Sequence, residues 1–163
     1  MNVLHGAKGM KAERYFREAA ELARHATCLR GRGGSVIVSN STIIGRGYNS
    51  PPANLESNRT CLNEYPGTEK PRFDRTCCVH AEWRAILDAV AHHPDQLAGS
   101  RIYYVRINDR GEIEHAGQPY CTACSRLALE AGIAEFALWH ERGMTAYDTA
   151  EYDRLSYAFF LTR

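Results

Sequence analysis

The sequence predicts a single domain of the α/β class, and three observations support this prediction. The chain has 163 residues, which suits one domain and is long enough to bury a substantial core. Apolar residues recur every three or four positions from Tyr15 to Ala26, which predicts an amphipathic helix over 11–27. Two β-branched runs follow, and helix-like and strand-like segments then alternate along the chain, as they do in α/β proteins.

The remaining elements are predicted from apolar spacing and from turn residues. The β-branched runs over 35–39 and 42–46 are joined by Asn40–Ser41 and predict an antiparallel hairpin. The later segments are predicted as a helix over 82–91, a strand over 101–107, a helix over 122–131 that ends at Gly132, a strand over 133–139 and a helix over 148–160. A strand–helix–strand unit of this length favours a parallel pair of strands.

Two segments lack apolar periodicity. Residues 1–9 are expected to form a loose leader, and residues 51–76 are expected to form a long loop rich in proline, asparagine, glycine and charged residues. A loop of this length in a small domain is either functional or disordered. Because it leads directly into the helix that starts at residue 82, we expect it to form one wall of an active site.

The composition argues against several classes of function. The formal net charge is +1, whereas a dedicated nucleic-acid surface usually has a strong basic excess. The sequence has no apolar run of bilayer length and no secretory signal, so we expect a cytoplasmic protein without membrane association. In that setting the six cysteines are better explained by metal binding than by a set of disulfides.

Two short motifs carry the chemistry. His80 and Glu82 lie at the start of one predicted helix, and Cys121 and Cys124 lie one turn apart at the start of another. One imidazole and two thiolates leave the fourth tetrahedral position of Zn²⁺ open for water, which is typical of a catalytic zinc site. A carboxylate beside that water can accept its proton and pass it on. A His-x-Glu motif followed by Cys-x-x-Cys after a proline is the signature of zinc-dependent nucleobase and nucleotide deaminases.

Each motif has a simpler explanation when it is considered alone. Glu82 could be a solvated surface acid, and His80 could be a structural histidine. The Cys-x-x-Cys pair could be a redox pair or half of a structural zinc finger. Their joint occurrence at two helix N-termini favours the catalytic site, because the partial positive charge of a helix N-terminus lowers the pKa of a thiol.

The chain resembles the cytidine and deoxycytidylate deaminase family, most closely its deoxycytidylate (dCMP) deaminase branch. The resemblance extends from Tyr15 to about Tyr147 and rests on Cys28–Leu29–Arg30, 33–38, Gly47–Tyr48–Asn49, Val79–His80–Ala81–Glu82, Cys121-x-x-Cys124 and 130–133. It implies a three-layer α/β/α sandwich with a mixed, mostly five-stranded sheet. It also implies one catalytic Zn²⁺ ion, a nucleotide or nucleoside substrate rather than a nucleic acid, and a homo-oligomer between a dimer and a hexamer.

The resemblance also assigns roles to individual residues. His80, Cys121 and Cys124 would bind the zinc ion. Glu82 would take a proton from water and deliver protons to the ring nitrogen and to the departing amine. The activated water would attack C4 of a cytosine and ammonia would leave, which for dCMP gives dUMP.

Two further residues would contact the substrate, and the substrate itself has alternatives. The backbone N–H of Ala81 would hold the carbonyl of the base, and Asn49 would hydrogen-bond the sugar side, although an ordinary turn asparagine is also consistent with its position. The substrate could instead be another nucleoside or base, or cytosine or adenosine in single-stranded DNA or RNA; the low net charge disfavours a polymer. A catalytically idle, zinc-stabilised binding module is the third alternative, and it would not need Glu82.

Four residues depart from the usual pattern of the branch. Arg84 stands where asparagine is usual and follows a bulky Trp83, Tyr120 separates Pro119 from the first cysteine, and Ser50 replaces a glycine. These residues are expected to lie where a pocket would touch the base, sugar or phosphate.

The long loop suggests two more sites, each with a simpler explanation. A substrate phosphate could be bound by its cations, although scattered solvated charge is simpler; these cations are Arg59, Lys70, Arg72 and Arg75. A second, structural zinc could be bound by three other cysteines, although buried free thiols are more common; these cysteines are Cys61, Cys77 and Cys78.

Overall fold

The computed structural model describes residues 1–63 and 77–161. Its strands and helices, numbered in chain order, are β1 (Asn2–Val3), α1 (Gly6–Ala23), β2 (Arg32–Ser39), β3 (Thr42–Tyr48), α2 (Ala81–His92), β4 (Arg101–Ile107), β5 (Ile113–Glu114), α3 (Thr122–Glu130), β6 (Glu135–His140), β7 (Gly143–Asp148) and α4 (Thr149–Leu161). The predicted order of helices and strands is confirmed, and the long strand β7 has no counterpart in the prediction.

The strands form one mixed sheet in the order β1-β7-β6-β4-β2-β3, with β5 paired to β4 outside this path. β4 and β6 are parallel, as predicted for a strand–helix–strand unit, and the other described pairs are antiparallel. Five strands have six to eight residues, whereas β1 and β5 have two each. The prediction of a mixed, mostly five-stranded sheet is therefore confirmed.

Helices cover both faces of the sheet. On one face, α1 buries Phe16 against Val36 and Tyr103 of the strands. On the other face lie α2, α3 and α4, where Ile86 and Tyr152 share a core with Phe136 of β6. Burial of each large apolar side chain contributes about 1.5–3 kcal/mol, so the two cores hold the three layers together. The predicted three-layer α/β/α sandwich is confirmed.

Helix α2 packs unusually close to β3, and glycines make this approach possible. A Cβ atom added at Gly47 would lie 2.1 Å from the carbonyl oxygen of Ala81, and one added at Gly45 would lie 2.3 Å from that of Ala85. Side chains at these two positions would therefore push the helix off the sheet. The close contact fixes the first turn of α2 relative to β3.

The prediction of a loose leader over residues 1–9 is wrong. Asn2–Val3 pairs with β7 at the edge of the sheet, Leu4 is buried and α1 already begins at Gly6. A two-residue strand has no periodicity of its own, and it is held by pairing with β7. That neighbour was equally hard to predict, because Gly143–Asp148 begins and ends with residues that are rare in strands.

The predicted long loop is described only in part. Short 3₁₀ turns occupy Pro52–Asn54 and Glu56–Asn58, and residues 64–76 lie outside the described residues. The hairpin turn is confirmed, since Asn40 and Ser41 both adopt positive φ between β2 and β3. Within residues 1–63 and 77–161, every helix is too short or too polar to cross a lipid bilayer.

Candidate active site

The N-termini of α2 and α3 bring His80, Cys121 and Cys124 together. His80 directly precedes α2 and Cys121 directly precedes α3. Nδ1 of His80 lies 3.0 Å from Sγ of Cys124 and 3.5 Å from Sγ of Cys121, and the two sulfur atoms are 2.8 Å apart. Among the described residues, they form the one group of three or more potential ligands whose donor atoms all lie within 4.8 Å. One nitrogen and two sulfur donors suit Zn²⁺, so the three residues form a candidate zinc site.

The charges at this site favour a thiolate on Cys121. Hydrogen bonds, the strongest from Cys124 and another from His80, lower the pKa of the Cys121 thiol to about 5. Burial raises the pKa of the Cys124 thiol, and the hydrogen bond to Cys121 raises the pKa of His80. Cys121 therefore carries negative charge at neutral pH even without a metal, and a deprotonated thiol is the form that binds zinc.

Glu82 lies in the first turn of α2 and is 5% exposed. Burial, reinforced by the negative charge of Cys121, raises the pKa of its carboxyl group to about 7. A carboxyl group with a pKa near neutrality can both accept and release a proton under ordinary conditions. The alternative explanation of Glu82 as a solvated surface acid therefore does not apply.

A cavity of about 260 Å³ opens beside these residues. Its lining includes His80, Ala81, Glu82 and Asn49, so the structure brings four predicted site residues to one surface. Cys121 lines an adjoining cavity together with Glu82, and Cys124 is fully buried behind them. The two cavities share Tyr104, Arg106 and Tyr120 in their walls.

Asn49 has a clear structural task at the rim of this cavity. Its side-chain oxygen accepts a hydrogen bond from the backbone N–H of Gly33 at 2.8 Å, and its amide nitrogen donates to the carbonyl oxygen of Gly31 at 2.9 Å. These bonds tie the residue after β3 to the start of β2 and to the loop before it. Each of the two side-chain groups retains one further hydrogen-bonding position, because an amide has two donors and two acceptor lone pairs.

The departures from the branch pattern mostly lie outside the cavity, contrary to expectation. Arg84 donates a hydrogen bond to the carbonyl oxygen of Pro51 at 2.9 Å, and Trp83 stacks on His80 with ring centroids 5.3 Å apart. Ser50 is buried and hydrogen-bonds Asn54. Among these four residues, Tyr120 is the one that lines the described cavities. Arg84 lies two residues after Glu82 on α2, so its side chain is directed away from the cavity and towards Pro51.

Arg59, one of the loop cations that could have bound a substrate phosphate, is instead bonded within the protein. It is 8% exposed, its Nε donates to Glu56 at 2.6 Å, and its Nη2 donates to the carbonyl oxygen of Thr27 at 2.8 Å. These bonds use its charge to hold the loop in place. The other loop cations named above, Lys70, Arg72 and Arg75, lie outside the described residues.

The additional cysteines line the first cavity as free thiols. Cys61, Cys77 and Cys78 all contribute to its wall, as does Cys28. Burial raises the pKa of Cys77, but hydrogen bonds from the backbone and thiol of Cys61 outweigh burial and lower it to about 7. Over the described residues, these cysteines do not form a three-ligand group. Their geometry therefore does not support a second zinc, which was the less favoured of the two alternatives.

Sequence reasoning missed Tyr104 and Arg106. Neither residue was assigned to the site from the sequence. The two residues alternate with Val105 and Ile107, which are buried under α1. Period-2 alternation along β4 was the available signal, since it places residues 104 and 106 on the face that carries the site.

Comparison with known proteins bears on this site. The sequence model of the family described as "Cytidine and deoxycytidylate deaminase zinc-binding region" matches residues 10–139. The chain belongs to this family. The candidate zinc site falls within the matched residues, so the expected cofactor of this deaminase family and the donor set agree.

Two deoxycytidylate deaminases are similar to this chain in sequence. Deoxycytidylate deaminase of Mycobacterium phage D29 is 31% identical over 121 residues, which are 71% of this chain and 83% of the phage protein. Deoxycytidylate deaminase of Saccharomyces cerevisiae is 38% identical over 79 residues, which are 46% of this chain and 25% of the yeast protein. The chain therefore spans about a quarter of the yeast relative.

Solved structures share the fold. The dCMP deaminase of cyanophage S-TIM5, crystallised in complex with dCMP and dUMP, has a TM-score of 0.56 at 22% identity. The aligned region covers 81% of this chain and 82% of the cyanophage chain. Cytidine deaminase of Burkholderia pseudomallei has a TM-score of 0.56 at 17% identity, and the aligned region covers 86% of this chain and 94% of the Burkholderia chain. These similarities show a cytidine deaminase-like fold.

Proposed function

We propose that this protein deaminates 2′-deoxycytidine 5′-monophosphate hydrolytically to dUMP and ammonia. The observation that carries the proposal is the buried Glu82 carboxyl group, with its pKa near neutrality, beside a His–Cys–Cys donor set at the edge of a cavity. The phage D29 relative, which is named deoxycytidylate deaminase, supports the choice of substrate.

His80, Cys121 and Cys124 would hold a zinc ion, which supplies Lewis-acid activation of a water molecule when bound. Glu82 would accept a proton from the water and pass it to N3 of the cytosine ring, and would then accept the proton of the hydroxyl group added at C4 and pass it to the departing amine. Its raised pKa suits both steps, because a group near neutrality gives up a proton as readily as it takes one. Burial keeps bulk water from competing for the proton.

Ala81 and Asn49 would position the substrate. The backbone N–H of Ala81 belongs to the first turn of α2, where N–H groups have no partner within the helix and can donate to the carbonyl oxygen of the base. Asn49 would contact the sugar with the hydrogen-bonding positions that its backbone contacts leave open. Since those contacts also fix the rim, Asn49 would orient the substrate on a rigid support.

The alternative functions differ from the proposed one in their substrate or in the need for Glu82. Cytidine, deoxycytidine or another base would need the same chemistry at Glu82 but a differently lined cavity. A nucleic-acid polymer fits poorly with a net charge of +1, and an idle zinc-binding module leaves the buried Glu82 without a purpose. We also expect homo-oligomers, since Leu87 and Val90 expose apolar surface on α2; sedimentation velocity measures this directly.

Ammonia release from the zinc-loaded protein tests the proposed reaction. The substrates are dCMP, CMP, cytidine, deoxycytidine, dCTP, guanine and a cytosine-containing oligonucleotide. We expect preference for dCMP, and loss of turnover in Glu82→Gln with zinc content unchanged. Glu130→Gln on the exposed end of α3 is the matched control. Turnover that survives Glu82→Gln would overturn the mechanism, and a preference for another compound would overturn the substrate.

A further inference from the structure

Arg106 places a positive charge at the rim of the cavity that contains His80 and Glu82. It lies at the end of β4, on the face opposite to the core under α1. Its side chain lines this cavity and also the adjoining one, which extends past Glu82 towards Glu114. A substrate that fills either cavity would therefore pass the Arg106 guanidinium group.

The position of the guanidinium group is fixed by its surroundings. Nη2 of Arg106 donates a hydrogen bond to the carbonyl oxygen of Arg30 at 3.3 Å, and Nε lies 3.6 Å from a carboxylate oxygen of Glu114. A Cβ atom at Gly31 would lie 2.2 Å from the same Nη2 atom, so the glycine leaves the space that the guanidinium occupies. These two contacts and the space that Gly31 leaves therefore place the group at the rim.

These contacts do not fully neutralise the positive charge of Arg106. Its side chain is 45% exposed and that of Glu114 is 43% exposed, so the ion pair is long and solvated and contributes little. Arg59 contrasts with it, because it is buried and bonded at short distance to Glu56. Of the five N–H donors that a guanidinium offers, Arg106 therefore retains several for a ligand.

A phosphate is the ligand that suits such a group. Cytosine is uncharged and offers a guanidinium no anionic oxygen, whereas a phosphate offers paired oxygens that match the guanidinium fork. We propose that Arg106 determines specificity by binding the 5′-phosphate of the substrate, so that the site prefers a nucleoside monophosphate to the nucleoside. This inference rests on the proposed function, and it assigns to Arg106 the role that the sequence had suggested for cations of the long loop.

Glu114 gives the proposal a second, opposite test. Its carboxylate lies 3.6 Å from Nε of Arg106 and would compete with the phosphate for the guanidinium. Replacing Glu114 with glutamine removes the competing charge and keeps the shape of the side chain. We therefore expect Glu114→Gln to favour dCMP, while Arg106→Gln disfavours it.

The experiment compares dCMP with deoxycytidine, which differ by the phosphate alone, on the zinc-loaded full chain. We expect Arg106→Gln to raise KM for dCMP about 10- to 100-fold, with kcat and the KM for deoxycytidine nearly unchanged. Arg106→Lys should recover part of the loss because it restores a point charge without the fork. Glu114→Gln should lower KM for dCMP about 2- to 5-fold.

Arg110→Gln is the matched control, since it makes the same change four residues away at an exposed turn outside the described cavities. Circular dichroism and zinc content check that each variant folds. Equal losses with dCMP and deoxycytidine in Arg106→Gln, or no loss with either, would overturn the role of Arg106.

Calorimetric binding of both compounds keeps this inference separate from the proposed reaction. If the wild type binds dCMP more tightly than deoxycytidine and Arg106→Gln abolishes that preference, the role of Arg106 stands even when neither compound is deaminated, and the proposed function fails. If dCMP is deaminated and Arg106→Gln retains the full preference for it, the proposed function stands and the role of Arg106 is overturned.

Discussion

Replacing Gly47 with alanine should disturb the contact between β3 and the helix that carries Glu82. The new Cβ atom would lie 2.1 Å from the carbonyl oxygen of Ala81 and 2.5 Å from the nitrogen of Ala85. Because real Cβ atoms essentially never approach within 3.0 Å of another atom, helix and strand must separate by about 0.9 Å. Overpacking of this kind costs about 1–3 kcal/mol, and we expect the upper end because the clash involves backbone.

The same movement displaces the first turn of α2, where Ala81 and Glu82 line the cavity. A misplacement of about 1 Å can lower a rate about 10²-fold, so activity should fall even in molecules that remain folded. Urea unfolding of the zinc-free protein measures the free energy of unfolding, and ammonia release measures kcat. In the control variant Gly117→Ala nothing lies within 4 Å of the new atom, so both quantities should stay near wild type. If Gly47→Ala behaved like this control, the packing argument would be refuted.

Three further predictions concern the site and the core. Burial raises the pKa of Glu82 from its usual 4.5 to about 7, so its contribution to stability is fully present below pH 4.5 and is lost as the pH rises through 7. Glu82→Gln should therefore stabilise the zinc-free protein at pH 8, by about 3 kcal/mol, with no gain at pH 4; an equal gain at both values in urea unfolding would contradict this. Asn49→Ala removes two hydrogen bonds between the Asn49 side chain and the backbone. It should lower the free energy of unfolding by about 1–3 kcal/mol and raise KM for dCMP, and an unchanged free energy of unfolding would contradict this. Phe136→Ala empties a fully buried site and should cost about 3–5 kcal/mol, measured against exposed Leu55→Ala, which should cost under about 0.5 kcal/mol.

Most of the fold could be predicted because most of the long helices and strands have a recognisable local pattern of apolar or β-branched residues. The spacing from Tyr15 to Ala26 marks the buried face of α1, and the β-branched runs of β2 and β3 mark a hairpin with its turn at Asn40–Ser41. What could not be predicted are β1 and β7, which are strands because β1 pairs with β7 and β7 pairs with β6. Pairing of this kind is a tertiary effect, and no local pattern over Gly143–Asp148 reports it.

The zinc donors could be predicted because their chemistry needs few residue types at fixed spacings. A histidine directly before one helix and two cysteines one turn apart at the start of another can converge once both N-termini meet. The environment of Glu82 could not be predicted in the same way. Its pKa depends on burial and on the charge of Cys121, and both arise when separate elements pack together.

The rim of the cavity shows why substrate contacts are harder to predict than metal ligands. Arg84 follows Glu82 by two residues, and on an α-helix two residues turn the side chain through about 200°, away from the cavity and towards the carbonyl of Pro51. On a strand the same spacing has the opposite effect, because Tyr104 and Arg106 return to one face of β4. A residue near the site therefore bears on specificity when the element that carries it directs the side chain into the cavity. The proposed role of Arg106 meets this criterion, because its side chain lines the cavity, whereas the Arg84 side chain contacts Pro51 outside it.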